Sequence, residues 1–419
     1  MSPLSPAPQV ASAGRRGRSA WAVLLALTGA FALSQAYRTV AAIMAPQLEA
    51  DFALTAQALG VFAGAFHLAF GALQIFMGIG IDLYGVRRTV LMAFPLTIVG
   101  AALSAWTTHF GLLVFAQVLI GIGCAPAFLV CTVFIARHFA PSRFATLSGI
   151  VLGLGGFGML VTGTPLAWLI EAHSWRTGFV VLGGASAIAW LAMFVLVREP
   201  AQGATLRADE SVRGALRSFG ALFAVPHTLG ILALAFVTYA AFITLRGLWL
   251  GPLLIARHGY SLVQSGNVAI AVSVASMIGA PLIGRLDPGT FTRRRWIIGF
   301  TLAAAAMFAL LAFNPGAAFD VGGSILYGFA SGYIVLQYAD VRRAYPASMT
   351  GRALALFTMA MFLGVALMQW LTGLAASVAA AHAVDPFVAV LGTIAVLLTA
   401  GTAAFAWLPR PEPPPGDRR

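Results

Sequence analysis

Phe31-Ala32-Leu33-Ser34-Gln35-Ala36-Tyr37-Arg38-Thr39-Val40-Ala41-Ala42-Ile43-Met44 sets a single arginine inside an apolar run long enough to cross a bilayer. A guanidinium near the middle of a membrane helix costs about 2.5–3.5 kcal/mol on insertion scales, so such a residue faces a wet cavity or a substrate path. The second half of the chain repeats the placement: Phe236-Val237-Thr238-Tyr239-Ala240-Ala241-Phe242-Ile243-Thr244-Leu245-Arg246-Gly247-Leu248-Trp249 holds Arg246 inside another long apolar run. Neither run contains an acid. Two intramembrane cations without a carboxylate point to a counter-charge that arrives from outside, as an anionic ligand.

Composition describes what surrounds that pair. The 419 residues are 60% hydrophobic and only 9% charged, whereas about a quarter of the residues of a soluble domain are charged. This is the profile of an all-α protein that crosses a lipid bilayer many times. The formal charge of +12 does not indicate nucleic acid, because that partner needs a basic face and here the arginines punctuate the ends of apolar runs. Cys124 and Cys131 stand seven residues apart in one run, a rise of about 10 Å, too far to bridge. They read as small packing residues.

Counting apolar runs of about 20 residues gives twelve spans, near 20–46, 55–80, 88–107, 111–136, 144–170, 177–197, 224–255, 263–284, 296–313, 321–340, 352–378 and 386–408. Cytoplasmic loops hold the excess of positive residues in a membrane protein. With both termini cytoplasmic, 21 of the 25 basic residues fall on that side, and only Arg176 and Arg257 fall outside. The first 19 residues, charged at Arg15, Arg16 and Arg18, are expected to be a disordered cytoplasmic tail ahead of a retained first helix. The longest polar connection, 198–223, separates a six-helix bundle over 20–197 from a second over 224–408, and 409–419 is a cytoplasmic C-terminal tail. A weak repeat supports the division: Arg38, Pro46, Thr55, Gln57 and Gly60 are echoed by Arg246, Pro252, Ser261, Gln264 and Gly266, at offsets of 206 to 208. Parallel repeats of this kind imply two pseudo-symmetric bundles with a site near the midplane between them.

Between spans two and three stands Gly78-Ile79-Gly80-Ile81-Asp82-Leu83-Tyr84-Gly85-Val86-Arg87-Arg88. It resembles the Gly-xxx-Asp-xx-Gly-x-Arg-Arg loop of the major facilitator superfamily, and the resemblance extends over nearly the whole chain. The physical sense is that glycine permits close approach and a tight turn, Asp82 meets a helix N-terminus or a basic partner, and the arginines hold the cytoplasmic edge. The resemblance implies that Gly78, Asp82, Gly85, Arg87 and Arg88 form a conformational latch; a purely topogenic turn is the alternative. The related loop in the second half, Gly284-Arg285-Leu286-Asp287 followed by Arg293-Arg294-Arg295, keeps the charges and loses the spacing. Proton-coupled drug exporters of this superfamily carry an arginine four positions before a glycine in span four, where this chain has Gln117 before Gly121. Arginines on spans one and seven instead resemble the organophosphate:phosphate antiporters, whose paired arginines grip phosphate, and the related organic-anion symporters.

Arg38 and Arg246 each follow an aromatic residue by seven positions, Phe31 and Tyr239, so ring and guanidinium share a helix face in each case. The planar fork of donors suits a carboxylate, phosphate or sulfonate. The bland alternative is an arginine tied to the carbonyls of a broken helix. Gln35, Tyr37, Tyr239 and Trp249 are further candidate substrate contacts around the two arginines, and Tyr327 and Ser331 belong to a polar stripe with Ser324 and Tyr338 on span ten. For any of these, helix-to-helix hydrogen bonding is the competing role. His67 in span two is a candidate for proton coupling, or else a hydrogen-bonded packing residue.

Enzyme signatures are missing: no His-Glu-xx-His, no Gly-x-Ser-Gly and no Gly-Lys-Ser/Thr loop occurs. No cofactor and no metal site are expected. The expected function is secondary active transport of a small anion, an organic carboxylate or phosphate-type solute, by rocking of the two bundles in a bacterial inner membrane. A co-transported or exchanged ion, a proton or a second anion, is an expected partner, and the chain is expected to act as a monomer. Efflux of a drug or metabolite is the rival, and a transporter-like sensor is the reading from another class.

Overall fold

The computed structural model describes residues 10–198, 219–409 and 411, with the side chains of 10–19, 82, 141, 145, 290, 291, 347 and 348 outside that description. Most of the expected central loop and C-terminal tail, and residues 1–9 of the expected N-terminal tail, therefore lie outside the described residues, whereas 10–19, expected to be disordered, belong to the helix Val10–Tyr37. Every regular element described is helical, and twelve helices are long and apolar enough to cross a membrane. Spans 1–6 are Ala20–Tyr37, Ala56–Ile81, Leu83–Trp106, Phe110–His138, Thr146–Ala172 and Trp175–Leu196. Spans 7–12 are Thr228–His258, Leu262–Arg285, Thr292–Ala312, Ala317–Ala344, Met349–Ala381 and Pro386–Trp407. Each falls on an apolar run read from the sequence, because in hydrocarbon a helix is the one local way to satisfy every backbone donor and acceptor.

The departures from regular helix carry the interest. Span 1 stops at Tyr37 and resumes as Ala41–Phe52. Span 5 is split at Thr162 and Gly163 between Phe144–Val161 and Thr164–Ala172. Span 7 contains a π-helical turn, Leu245–Trp249, and span 10 a 3-10 turn, Ser331–Tyr333. The break in span 1 meets the break in span 5 through the Thr39 and Thr162 hydroxyls, 2.6 Å apart. It also abuts the π turn of span 7, where a Cβ on Gly247 would stand 3.0 Å from the Arg38 carbonyl oxygen.

Among the described residues the halves meet chiefly between span 2 and span 11, between span 5 and span 8, and between the segment Ala41–Phe52 and span 7. At the end of the molecule away from the arginine-rich loops, one apolar core runs through both halves, from Met44 and Phe62 to Leu254 and Leu391. Toward the arginine-rich end it divides into two clusters, one around Phe94 and Phe134 and one around Phe357 and Phe405. The common core thus closes the molecule at one end, and each half keeps a core of its own at the other.

Within each half the same devices recur. Gly158 of span 5 lies on the Ala32 carbonyl of span 1, and Gly364 of span 11 on the Phe236 carbonyl of span 7, each so close that a Cβ would overlap the oxygen. At the closed end Arg176 pairs with Asp51 at 2.8 Å and donates to the Thr107 carbonyl at 3.2 Å, tying spans 6, 1 and 3. Its counterpart is charge-swapped: Arg257, 206 residues after Asp51, pairs with Asp385, 209 residues after Arg176, at 2.7 Å and donates to the Leu311 carbonyl at 3.0 Å. At the arginine-rich end Arg87 donates to the Val197 carbonyl and Arg294 to the Phe405 carbonyl, fastening span 3 to span 6 and span 9 to span 12.

Replacing Gly158 by valine overpacks the span 1–5 seam, a class of change that costs about 1–3 kcal/mol. Gly149, in the same helix with nothing within 4 Å of where a Cβ would stand, tolerates the same change. The thermal midpoints of the two purified variants measure this contrast. The Trp175 indole and then Arg176 hold the Asp51 carboxyl below its ordinary range. A depressed folded-state value adds stability that is fully present above the unfolded value of about 3.9 and is lost as pH falls through the folded one. The midpoint gap between wild type and Asp51→Asn is therefore expected near neutrality and vanishes in strong acid.

Candidate functional site

The two arginines that define the sequence lie at the two adjoining helix irregularities. Arg38 is the first residue of the span 1 break and Arg246 lies within the π turn of span 7. Arg38 is 7% exposed and Arg246 is fully buried. Arg38 donates from Nη1 to Gln35 Oε1 at 2.5 Å and to the Tyr239 hydroxyl at 3.5 Å, and from Nη2 to Ser34 Oγ at 3.3 Å. Its guanidinium carbon lies 4.6 and 4.7 Å from the ring centroids of Phe70 and Phe362, which are themselves 4.3 Å apart, so the cation caps an aromatic pair contributed by spans 2 and 11. Arg246 donates from Nε to Ser273 Oγ at 2.8 Å and from Nη2 to the Met159 carbonyl at 2.6 Å. That carbonyl belongs to the last turn before the break in span 5, where no helical N–H reaches it.

No carboxylate pairs with either arginine among the described residues, and each keeps one buried N–H group without a partner, Nε of Arg38 and Nη1 of Arg246. The two are linked through Met159: Gln35 Nε2 reaches its sulfur at 4.0 Å while Arg246 holds its carbonyl.

A chamber of about 140 Å³ lies where the common core divides. It takes Gln35 from span 1, Gly156 and Met159 from span 5, Thr238 and Tyr239 from span 7, Ser273 and Ser276 from span 8, and Ser331 and Tyr333 from span 10. Both halves build it. The expectation of two bare guanidinium groups facing this space needs correction. Each stands one hydrogen bond behind the wall, Arg38 behind Gln35 and Tyr239, Arg246 behind Ser273 and Met159. The reason is desolvation: a guanidinium in a water-poor interior takes the acceptors within reach, here four side-chain oxygens and the Met159 carbonyl.

Of the other candidate contacts, the structure brings Gln35, Tyr239 and Ser331 to the chamber and does not bring Tyr37, Trp249 or Tyr327. The Tyr37 hydroxyl is 3.2 Å from Ser186 Oγ inside the first half. The Trp249 indole donates to Thr372 Oγ1 at 3.0 Å at the closed end. Tyr327 is buried edge-on against Phe308 at 4.7 Å. Tyr327 lies one turn before Ser331 in the regular helix Ala317–Ala330 and packs within the second half, and Tyr333, inside the 3-10 turn, faces the chamber instead. Tyr239, expected on the Arg246 face, instead reaches Arg38 across the half-to-half seam.

His67 is buried, with Nδ1 3.1 Å from the Ala63 carbonyl oxygen and Nε2 without a partner. Its ring is stacked toward Phe362, the ring that covers Arg38. In the loop resembling the family latch, Gly85 adopts φ 82°, which kinks the helical path within Gln74–Ala93 where span 2 passes into span 3. Gly78 is not a forced close approach, since a Cβ there would meet Leu129 at an ordinary 3.8 Å. Arg87 works inside its own half, on the carbonyls of Phe194 and Val197, Arg88 is exposed, and the Asp82 side chain lies outside the described residues.

Ser273, Thr238, Tyr333 and the aromatic pair Phe70 and Phe362 are site residues that the sequence does not single out. Serine and phenylalanine are too common in membrane helices to stand out, and only the relative rotation of spans 2, 8 and 11 turns these copies inward.

Residues 26–368 match the model of the Major Facilitator Superfamily. A hexuronate transporter of Bacillus subtilis (strain 168) is 22% identical over 333 residues, covering 74% of this chain and 78% of that protein. An MFS-type efflux pump of Mycolicibacterium smegmatis is 28% identical over 319 residues, covering 70% and 69%. The crystal structure of a D-xylose–proton symporter superposes with a TM-score of 0.73 at 17% identity, covering 94% of this chain and 98% of that one. With twelve spans in two halves, a chamber between them and a family match over most of its length, the chain is a member of the Major Facilitator Superfamily.

Proposed function

We propose that this protein is a secondary active transporter of a small anion, carried by rocking of the two halves about the chamber. The observation that supports it is the pairing of Arg38 and Arg246 at adjoining helix breaks, without an acid and each with a spare buried N–H group, directly behind a chamber that both halves build. Anionic cargo supplies the missing charge. When Gln35 turns away, Arg38 presents its fork to the chamber, and the hydroxyls of Thr238, Ser276, Ser331 and Tyr333 take the polar remainder of the cargo. A sugar acid combines a carboxylate with hydroxyls in this way, which agrees with the name of the Bacillus subtilis relative. Closing a low-dielectric chamber over uncompensated cations is unfavourable, so cargo charge favours closure. The arginine asymmetry of the loops supports cytoplasmic termini and, with them, a closed end that faces outside. A co-transported proton, with His67 beside the Arg38 pocket, or an exchanged second anion supplies the coupling.

Efflux is the second reading, and two observations favour it: the mycobacterial relative and the carbonyl already held by Arg246, which gives that arginine a purely structural use. A thermal-shift screen of purified protein against sugar acids, other carboxylates, phosphate esters, sulfonates and neutral sugars separates the two. The anion reading expects a stabilising anion whose affinity falls about tenfold or more in Arg38→Gln, as loss of a charge-assisted hydrogen bond implies. Arg246→Lys keeps the charge, loses the fork and weakens the same anion, and thereby controls for misfolding of Arg246→Gln. Stabilisation by neutral compounds, unchanged in both variants, moves the protein to the efflux reading.

A further inference from the structure

The closed end of the second half holds a charge cluster that transport chemistry at the chamber does not use. Asp320, in the first turn of span 10, is fully buried and is the one acid among the buried polar residues described. Its Oδ2 is 2.8 Å from His258 Nε2 and 3.7 Å from Arg257 Nη1, and its Oδ1 is buried without a partner. Arg257 is engaged more closely elsewhere, with Asp385 Oδ2 at 2.7 and 2.9 Å and with the Leu311 carbonyl. His258 is the last residue of span 7, and Tyr260 stands next to it, ring centres 6.4 Å apart.

The first half is an internal control for what this end requires. Its strut, Asp51 with Arg176 and the Thr107 carbonyl, reproduces the Arg257 strut with the charges exchanged. Where the second half sets His258 against Asp320, however, the first half has Phe52, 206 residues before His258, packed on Phe110 at the start of span 4 and on Trp175. An apolar contact therefore suffices to join the ends of the equivalent spans. Burying a carboxylate and an imidazole in its place is costly and adds nothing to the architecture.

We propose that His258 and Asp320 form a proton-binding site that reads the pH at the closed end and holds that end shut when loaded. The charges decide the direction. With a proton on the imidazole, Arg257 and His258 balance Asp320 and Asp385. Without it, one negative charge is left over, and it falls on Asp320, because Asp385 occupies Arg257 and is itself partly exposed. Water is then needed at Asp320, and it enters only if the ends of spans 7 and 10 part. Span 7 transmits the change, since Gly251 lies against the Ala42 carbonyl of the outer segment of span 1. Histidine suits the task because its charge changes between about pH 5 and 8. The site rests on the alternating-access reading and is independent of the cargo.

The test is accessibility of the closed seam. Ala42→Cys, at a position 1% exposed, is placed in a full-length protein whose Cys124 and Cys131 are alanine, and is labelled in vesicles with a membrane-impermeant maleimide at mildly acidic and mildly alkaline pH. Exposed Thr108→Cys at the same end corrects for thiol ionisation. The corrected rate is expected to rise several-fold at alkaline pH. With Asp320→Asn it stays low at both, with His258→Gln it stays high at both, and the double variant His258→Phe with Asp320→Leu, which copies the first half, stays low at both. A corrected rate flat with pH in the parent, or a pH response surviving in Asp320→Asn, overturns the proposal. Cargo binding is not read in this assay, so that failure leaves the anion reading standing, while the thermal-shift screen tests the anion reading alone.

Discussion

A guanidinium in hydrocarbon must find acceptors, and an unbroken membrane helix has none to offer because every carbonyl is already used one turn further on. Much of this structure answers that constraint. Spans 1 and 5 are broken and span 7 is widened into a π turn, and the three irregularities adjoin one another. The Met159 carbonyl released by the span 5 break goes to Arg246, and Arg38 takes side-chain oxygens and the faces of Phe70 and Phe362. A cation over aromatic rings in a desolvated site gains about 2 kcal/mol, comparable with the cost of placing it there.

These satisfactions cross between the halves. Arg246 on span 7 holds span 5, and Arg38 on span 1 touches Tyr239 on span 7 and Phe362 on span 11. The contacts sit where the common core ends and the two separate cores begin, which is the level at which rocking halves would pivot. Residues that hold this level together are therefore the ones that cargo would have to address, and the chamber wall is made of their partners, Gln35, Met159, Tyr239 and Ser273.

The halves are alike in their fastenings and unlike in their chemistry. Glycine on carbonyl at Gly158 and Gly364, arginine on helix end at Arg87 and Arg294, and the exchanged ion pairs Asp51–Arg176 and Arg257–Asp385 show one scaffold used twice. Exchange of the two charges leaves each strut neutral, so the scaffold tolerates it. At the rotationally related position the first half closes with Phe52 on aromatic rings and the second with His258 on a buried acid. Divergence that adds a desolvated charge to a scaffold that stands without it marks function sooner than stability.

Twelve spans and the duplicated arginine were legible in the sequence, with boundaries to within a turn or so for most spans but not for span 1, read to 46 and broken after Tyr37, because hydrophobic length and charge placement are properties of each segment taken alone. The partners of Arg38 and Arg246 were not. Gln35 lies three residues from Arg38 and was in reach of helical spacing, but Met159, Ser273, Phe70 and Phe362 come from other spans, and their rotation is set by how close the glycines let the helices lie. Tyr37, Trp249 and Tyr327 show the limit from the other side: each lies near an arginine or a polar stripe in the chain, and packing takes each off the chamber, to Ser186, to Thr372 and to Phe308. The sequence by itself determined that two cations would be buried in the membrane without acids. Tertiary structure alone decided that they would stand behind the chamber wall, because Tyr239 beside Arg38, and Ser273 and the Met159 carbonyl beside Arg246, are brought there by other spans.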